Sequence, residues 1–139
     1  MPLLKKNDTA IRDVLTHAKV IAVIGHSNKH ERASYQVAQF LRSVGYTVYP
    51  VNPTIKEIDG QPSYSSLQEI PEAVDIVNVF RRNEYLDEIV NRAIEINAKT
   101  VWAQLGVVNE KAAKKALDAG LNVIMDACIK VEYLRLGIC

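Results

Sequence analysis

Apolar residues along this chain follow two rhythms. Five short, nearly unbroken runs, Val20–Ile24, Tyr46–Val51, Val74–Phe80, Thr100–Gln104 and Leu121–Met125, are rich in β-branched side chains and end at turn-forming residues. Runs of that length predict parallel strands covered on both faces. Between them apolar residues return every three or four positions: Val37, Ala38, Leu41 and Val44, then Leu86, Ile89, Val90, Ala93 and Ile94, then the alanine-rich 110–119. These predict helices. Ser34 is expected to cap the first of them and Gly45 to close it, and Asn109 and Gly120 should bracket the last. An opening helix with Ile11, Val14 and Leu15 on one face is expected after an Asp8-Thr9 cap, and a closing helical turn over 130–135. Residues 55–60 are polar and turn-rich and have room for one short edge element, and 65–70 should form a short helix stopped by Pro71. Strands alternating with helices predict an α/β fold, a doubly wound parallel sheet of about five strands in a single domain, 1–139.

Composition narrows the function more by exclusion than by assertion. The 139 residues are 48% hydrophobic and 24% charged, with a net charge of +1. That is an ordinary globular balance, without the basic excess of a duplex-binding surface, so no nucleic-acid partner is expected. No apolar run reaches the roughly twenty residues needed to span a bilayer, and no signal-peptide core is present, so no membrane association and a cytoplasmic location are expected. Cys128 and Cys139 are too few for a disulfide framework, and His17, His26 and His30 complete no ligand set with them, so no metal is expected.

In a doubly wound sheet, ligands gather where the strands end. After the first run come Gly25, His26, Ser27, Asn28, Lys29 and Arg32; after the second, Asn52 and Pro53; after the third, Phe80, Arg81 and Arg82; after the fourth, Gln104, Leu105 and Gly106; after the fifth, Asp126 and Cys128. A strand that stops on glycine and opens into a helix presents unpaired amides and a positive dipole end to an anion. The dinucleotide fingerprint needs three glycines here and an acidic residue after the second strand. Only Gly25 is present, and Asn52-Pro53 stands where the acid belongs. In place of the glycines are Lys29, His30 and Arg32, with Arg81 and Arg82 nearby, a charge pattern suited to several phosphates.

Four stretches carry a resemblance: Ile21–Ser27, Arg32–Tyr35, Gly45–Pro53 and Val123–Asp126. Together they resemble the small single-domain CoA-binding protein family, itself similar to the N-terminal CoA-binding domain of the succinyl-CoA ligase alpha subunit. The resemblance implies a Rossmann-like domain that takes coenzyme A by its phosphates at the first loop and lays its adenosine across the strand ends. On matching positions Gly25, Ser27, Arg32 and Tyr35 would grip phosphate and nucleotide. Asn52 and Pro53 would flank them, Phe80 and Arg81 would line the site from the third strand, and Gln104 and Gly106 would close its far side. His26, Asn28 and Lys29 complete the candidate loop. The ligase's phosphorylated histidine lies in a segment beyond this domain, so its catalysis is not carried over.

The residues themselves support blander roles too. His26 reads as a polar loop residue with no carboxylate to orient it, Tyr35 as packing, Trp102 as core and Asp126 as a cap. Cys128 reads as a small buried hydrophobe, though its place after the last strand makes it a candidate for thiol exchange with CoA. No nucleophile, base and orienter assemble from these residues. The expectation is therefore a protein that binds CoA or an acyl-CoA without catalytic apparatus of its own. Alternatives are an NADP-using oxidoreductase, a CoA ligase or transferase component acting with a protein partner, and a regulator responsive to CoA load or redox state.

Overall fold

Five strands form one parallel sheet because each carries apolar side chains toward both faces. In a computed structural model, which describes residues 7–138, these are β1 (Val20–Ile24), β2 (Thr47–Val51), β5 (Ile76–Val79), β6 (Thr100–Ala103) and β7 (Asn122–Ile124). They lie in the order β2-β1-β5-β6-β7. Every pairing is parallel; Ile21 stands beside Val48 on one side and Ile76 on the other.

The period-two alternation of the strands sorts the core into two layers. Val20, Ala22 and Ile24 of β1 join Val77, Val79 and Val101 beneath α3 (Asn83–Glu95) and α4 (Glu110–Asp118). Ile21 and Val23 instead join Val48, Ile76, Trp102 and Ile124 beneath α1 (Asp8–His17), α2 (Ala33–Ser43) and α5 (Ile129–Arg135). Helices therefore cover both faces, and the doubly wound expectation holds. Trp102 is fully buried and donates its indole N–H to the Ala127 carbonyl at 2.9 Å. Gly45 closes α2 as expected: at φ +103 it lets the Tyr46 amide turn back to the Leu41 carbonyl.

Several local expectations change. Asn7, not Asp8, caps α1 by accepting from the Ala10 amide at 3.0 Å. Ser34 lies inside α2, whose N-cap is Arg32 with no side-chain cap, because the Ser34 hydroxyl is used by the loop amide of Ser27. Residues 65–70 shorten to a 3₁₀ turn, Leu67–Glu69. The single edge element expected over 55–60 is a hairpin of β3 (Glu57–Ile58) and β4 (Gln61–Pro62). Cys139 lies outside the described residues.

Candidate functional site

The chain leaves β1 for β2 on one side and returns through β5 on the other, so the sheet's order reverses between β1 and β5. Gly25 sits at that point with φ +86, and a Cβ there would come within 3.0 Å of the Phe80 carbonyl oxygen and 3.1 Å of Arg81 Cδ. Glycine is favoured by both conformation and space. Its amide donates to Val51 O at 2.9 Å, and Phe80 N donates to Ile24 O at 2.9 Å, which draws the ends of β1, β2 and β5 together.

The loop beyond Gly25 is held from below. His26 is fully buried. Its Nδ1 lies 2.8 Å from the Ser27 carbonyl, which can only accept, so Nδ1 carries the ring proton and Nε2 accepts from Arg42 Nη1 at 3.3 Å. Burial pushes its pKa from 6.5 down to about 4, and the Arg42 charge adds to that shift. Ser27 is tied twice, through its amide to Ser34 Oγ and through its own hydroxyl, which accepts from Lys29 N, both at 3.0 Å. Asn52 Nδ2 donates to His26 O at 3.1 Å while its Oδ1 accepts from the Thr54 amide and hydroxyl. Asn28, Lys29 and Arg32 are exposed along the rim.

Tyr35, nearly buried in the first turn of α2, donates its hydroxyl to Asp59, which raises the phenol's pKa. Sequence reasoning missed Asp59, although Asp59-Gly60 is a hairpin-turn signal. It also missed Arg42, a polar position in an amphipathic helix, whose partner His26 is sixteen residues away.

On the β5 side, the Arg81 guanidinium lies 4.2 Å from the centre of the Tyr85 ring. An apolar slot of about 240 Å³ between Ile24, Val51, Pro53, Leu67 and Tyr85 opens beside it. Phe80, Arg81, Gln104 and Gly106 line a neighbouring hollow of about 520 Å³. Gln104 is buried at its wall: its Oε1 accepts from Ile129 N at 3.2 Å and from Asn78 Nδ2 at 3.4 Å. Gly106 N donates to Asp126 Oδ1 at 2.8 Å, so Asp126, at φ +56, fixes this loop. Cys128, half-buried, lines a separate hollow with Leu105, Asp126 and Val131. Lys29, Arg32, Arg81 and Arg82 have no carboxylate partner among the described residues, whereas Arg92, Lys114, Lys115 and Arg135 all do.

Set beside known proteins, residues 19–134 match the family described as a CoA binding domain. The chain belongs to that family. Within it, the uncharacterized protein YneT of Bacillus subtilis is 45% identical over 123 residues, covering 88% of this chain and 91% of YneT. A hypothetical protein from Pyrococcus horikoshii superposes with a TM-score of 0.92 at 38% identity, covering 98% of this chain and 96% of its own. The alpha subunit of an ADP-forming acetate–CoA ligase II from Pyrococcus furiosus is 26% identical over 130 residues, 86% of this chain but only 28% of the subunit. Kinship with the CoA-binding part of a ligase alpha subunit is thus as expected, with an acetate–CoA ligase found where the expectation named the succinyl-CoA ligase. No helix among the described residues is long and apolar enough to cross a membrane.

Proposed function

We propose that this CoA-binding-family domain holds coenzyme A or an acyl-CoA at the ends of β1 and β5. The observation that carries the reading is Gly25, left-handed at φ +86 and so close to the Phe80 carbonyl that a Cβ would meet it at 3.0 Å, with Arg32 and Arg81, which have no carboxylate partner among the described residues, around it. The amides at the start of α2 would hold the diphosphate, while those of Gly25, Ser27, Lys29 and Arg32 are spent shaping the loop, and the Arg32 and Arg81 side chains would meet its charge. The slot between Pro53 and Tyr85 offers apolar walls to a base. CoA supplies a thiol that carries acyl groups as thioesters. This chain's part is to bind and orient it.

Asn52 argues against a nicotinamide dinucleotide in a further way. Its Oδ1 already accepts twice, from the Thr54 amide and hydroxyl, so it has no acceptor left for the ribose hydroxyls that an acidic residue would clamp. His26 is the one histidine buried beneath the site, and both its nitrogens are engaged, so it offers a ligand no base. Binding without catalysis is the simpler reading. A role as one component of a ligase is favoured by one fact, the match to 28% of an acetate–CoA ligase subunit; catalysis would then come from a partner chain. Calorimetry with CoA, NADP and NAD tests the proposal. CoA binding is expected, and NADP binding without CoA binding would overturn it. Addition of a ligase partner would separate the two readings by turnover.

A further inference from the structure

The hairpin β3–β4 aims a carboxylate at the loop that follows β1. Asp59 and Gly60 form its two-residue turn, both left-handed at φ +51 and +83. One oxygen of Asp59 accepts the Tyr35 hydroxyl, and the other lies 4.0 Å from His30 Nε2. The His30 ring stacks on Tyr35 with centroids 4.3 Å apart and planes 17° apart. Side chains of a helix lean toward its N-terminus, so Tyr35 and the carboxylate it holds stand at the electropositive start of α2. Arg42 adds to that field from inside: its Nε and Nη2 are buried without hydrogen-bond partners among the described residues. The anion site of the free protein already has an anion beside it.

We propose that Asp59 is an internal anion that occupies Tyr35 and His30 in the free protein and yields them when an anionic ligand binds the loop. The inference rests on the CoA reading and adds a residue that sets the affinity of that site. Two features favour a yielding carboxylate over a fixed clamp. The hairpin ladder has only two residue pairs, Glu57 with Pro62 and Ile58 with Gln61, so the Asp59-Gly60 tip can shift while the buried Ile58 and the bond from Ser63 N to Lys56 O hold its base. The Asp59 side chain is 49% exposed and like-charged with any phosphate, so the ligand repels it from the donors it occupies. The penalty falls on every anion. A small anion with no other anchor is turned away, whereas a ligand also held by its base tolerates the cost.

Asp59→Asn removes the charge and keeps a residue tolerant of the left-handed turn. Calorimetry with CoA and with inorganic pyrophosphate at low salt should show the variant binding each about fivefold tighter than the unaltered protein, the upper range for a half-exposed charge. The gain should disappear at high salt. Amide exchange over 57–62 should speed up when CoA binds the unaltered protein. Weaker or unchanged binding by the variant, or slower exchange in the hairpin on binding, would overturn the proposal. If pyrophosphate binds and CoA does not, the CoA reading fails while the variant still decides the role of Asp59. If neither ligand binds either protein, both ideas fall.

Discussion

Acidification should loosen this protein through His26 before its carboxylates respond. The ring is fully buried, with Nδ1–H on the Ser27 carbonyl and Nε2 on Arg42, and its pKa falls from 6.5 to about 4. A depressed folded-state value means that the unfolded chain binds the proton more tightly. The contribution is therefore complete above pH 6.5 and is lost as pH falls toward 4. At pH 4.5 the linkage relation gives a loss of about 2.5 kcal/mol, a large share of a small domain's stability. Among the carboxylates, Asp8, Glu69 and Asp75 are held below their ordinary values of 3.8, 4.5 and 3.8, so their losses begin only below those points. Urea unfolding at pH 7.5, 6.0, 5.0 and 4.5 should show the decline. His26→Gln should start less stable and flatten it, since glutamine takes up no proton. An equally steep decline in the variant would place the proton elsewhere and refute the argument.

Other outcomes follow from the same geometry. Gly25→Ala should cost more than Gly60→Ala, because both sit at positive φ but only Gly25 meets backbone, at 3.0 Å. Unfolding free energies from urea titrations should differ by roughly 1–2 kcal/mol, the scale of one strained residue, and equal losses would contradict the close approach. Arg81→Ala should weaken CoA binding about tenfold and reduce its salt dependence, while its stacking on Tyr85 limits the stability change to under about 1 kcal/mol. Incubation with CoA disulfide should put a CoA adduct on Cys128. The Cys128 thiolate attacks one sulfur, a protein–CoA disulfide forms, and a CoA thiolate leaves. Mass spectrometry of the unaltered protein and of Cys128→Ser checks it, and an unmodified Cys128 would discard the idea.

Much of the frame was legible because a strand buried on both faces is written as an unbroken apolar run. Val20–Ile24 is the plainest case, and the glycine that ends it lies where the sheet order reverses. The losses came where a polar side chain is satisfied at a distance. Ser34 looks like a cap, and nothing near it in sequence shows that its hydroxyl serves Ser27, seven residues back. Asn52 is visible only as a missing acid, although its amide joins the two loops on which the site stands. The strands of the hairpin are too short to show a period, which leaves Asp59-Gly60 as their one signal. His26 sits among polar neighbours and is buried because Tyr35 and Arg42 close beneath it from α2.

Asn78 is a polar residue in the middle of the apolar run that forms β5. It is completely buried, its Nδ2 reaches Trp102 O at 3.3 Å and Gln104 Oε1 at 3.4 Å, and its Oδ1 has no partner among the described residues. Both bonds are long, so they contribute little, while an unsatisfied buried acceptor costs about 1–3 kcal/mol. A core chosen only for stability would place an aliphatic side chain there. Asn78→Leu should therefore change unfolding free energy by less than about 1 kcal/mol, against the 2–5 kcal/mol typical of damaging core changes. Gln104 Oε1 would keep its bond from Ile129 N, so the wall of the hollow would stand with one tie fewer. If the Asn78–Gln104 pair exists to fix that wall for a ligand, CoA affinity should fall although stability does not. A variant that unfolds more easily by more than about 2 kcal/mol would show that Asn78 serves the fold instead.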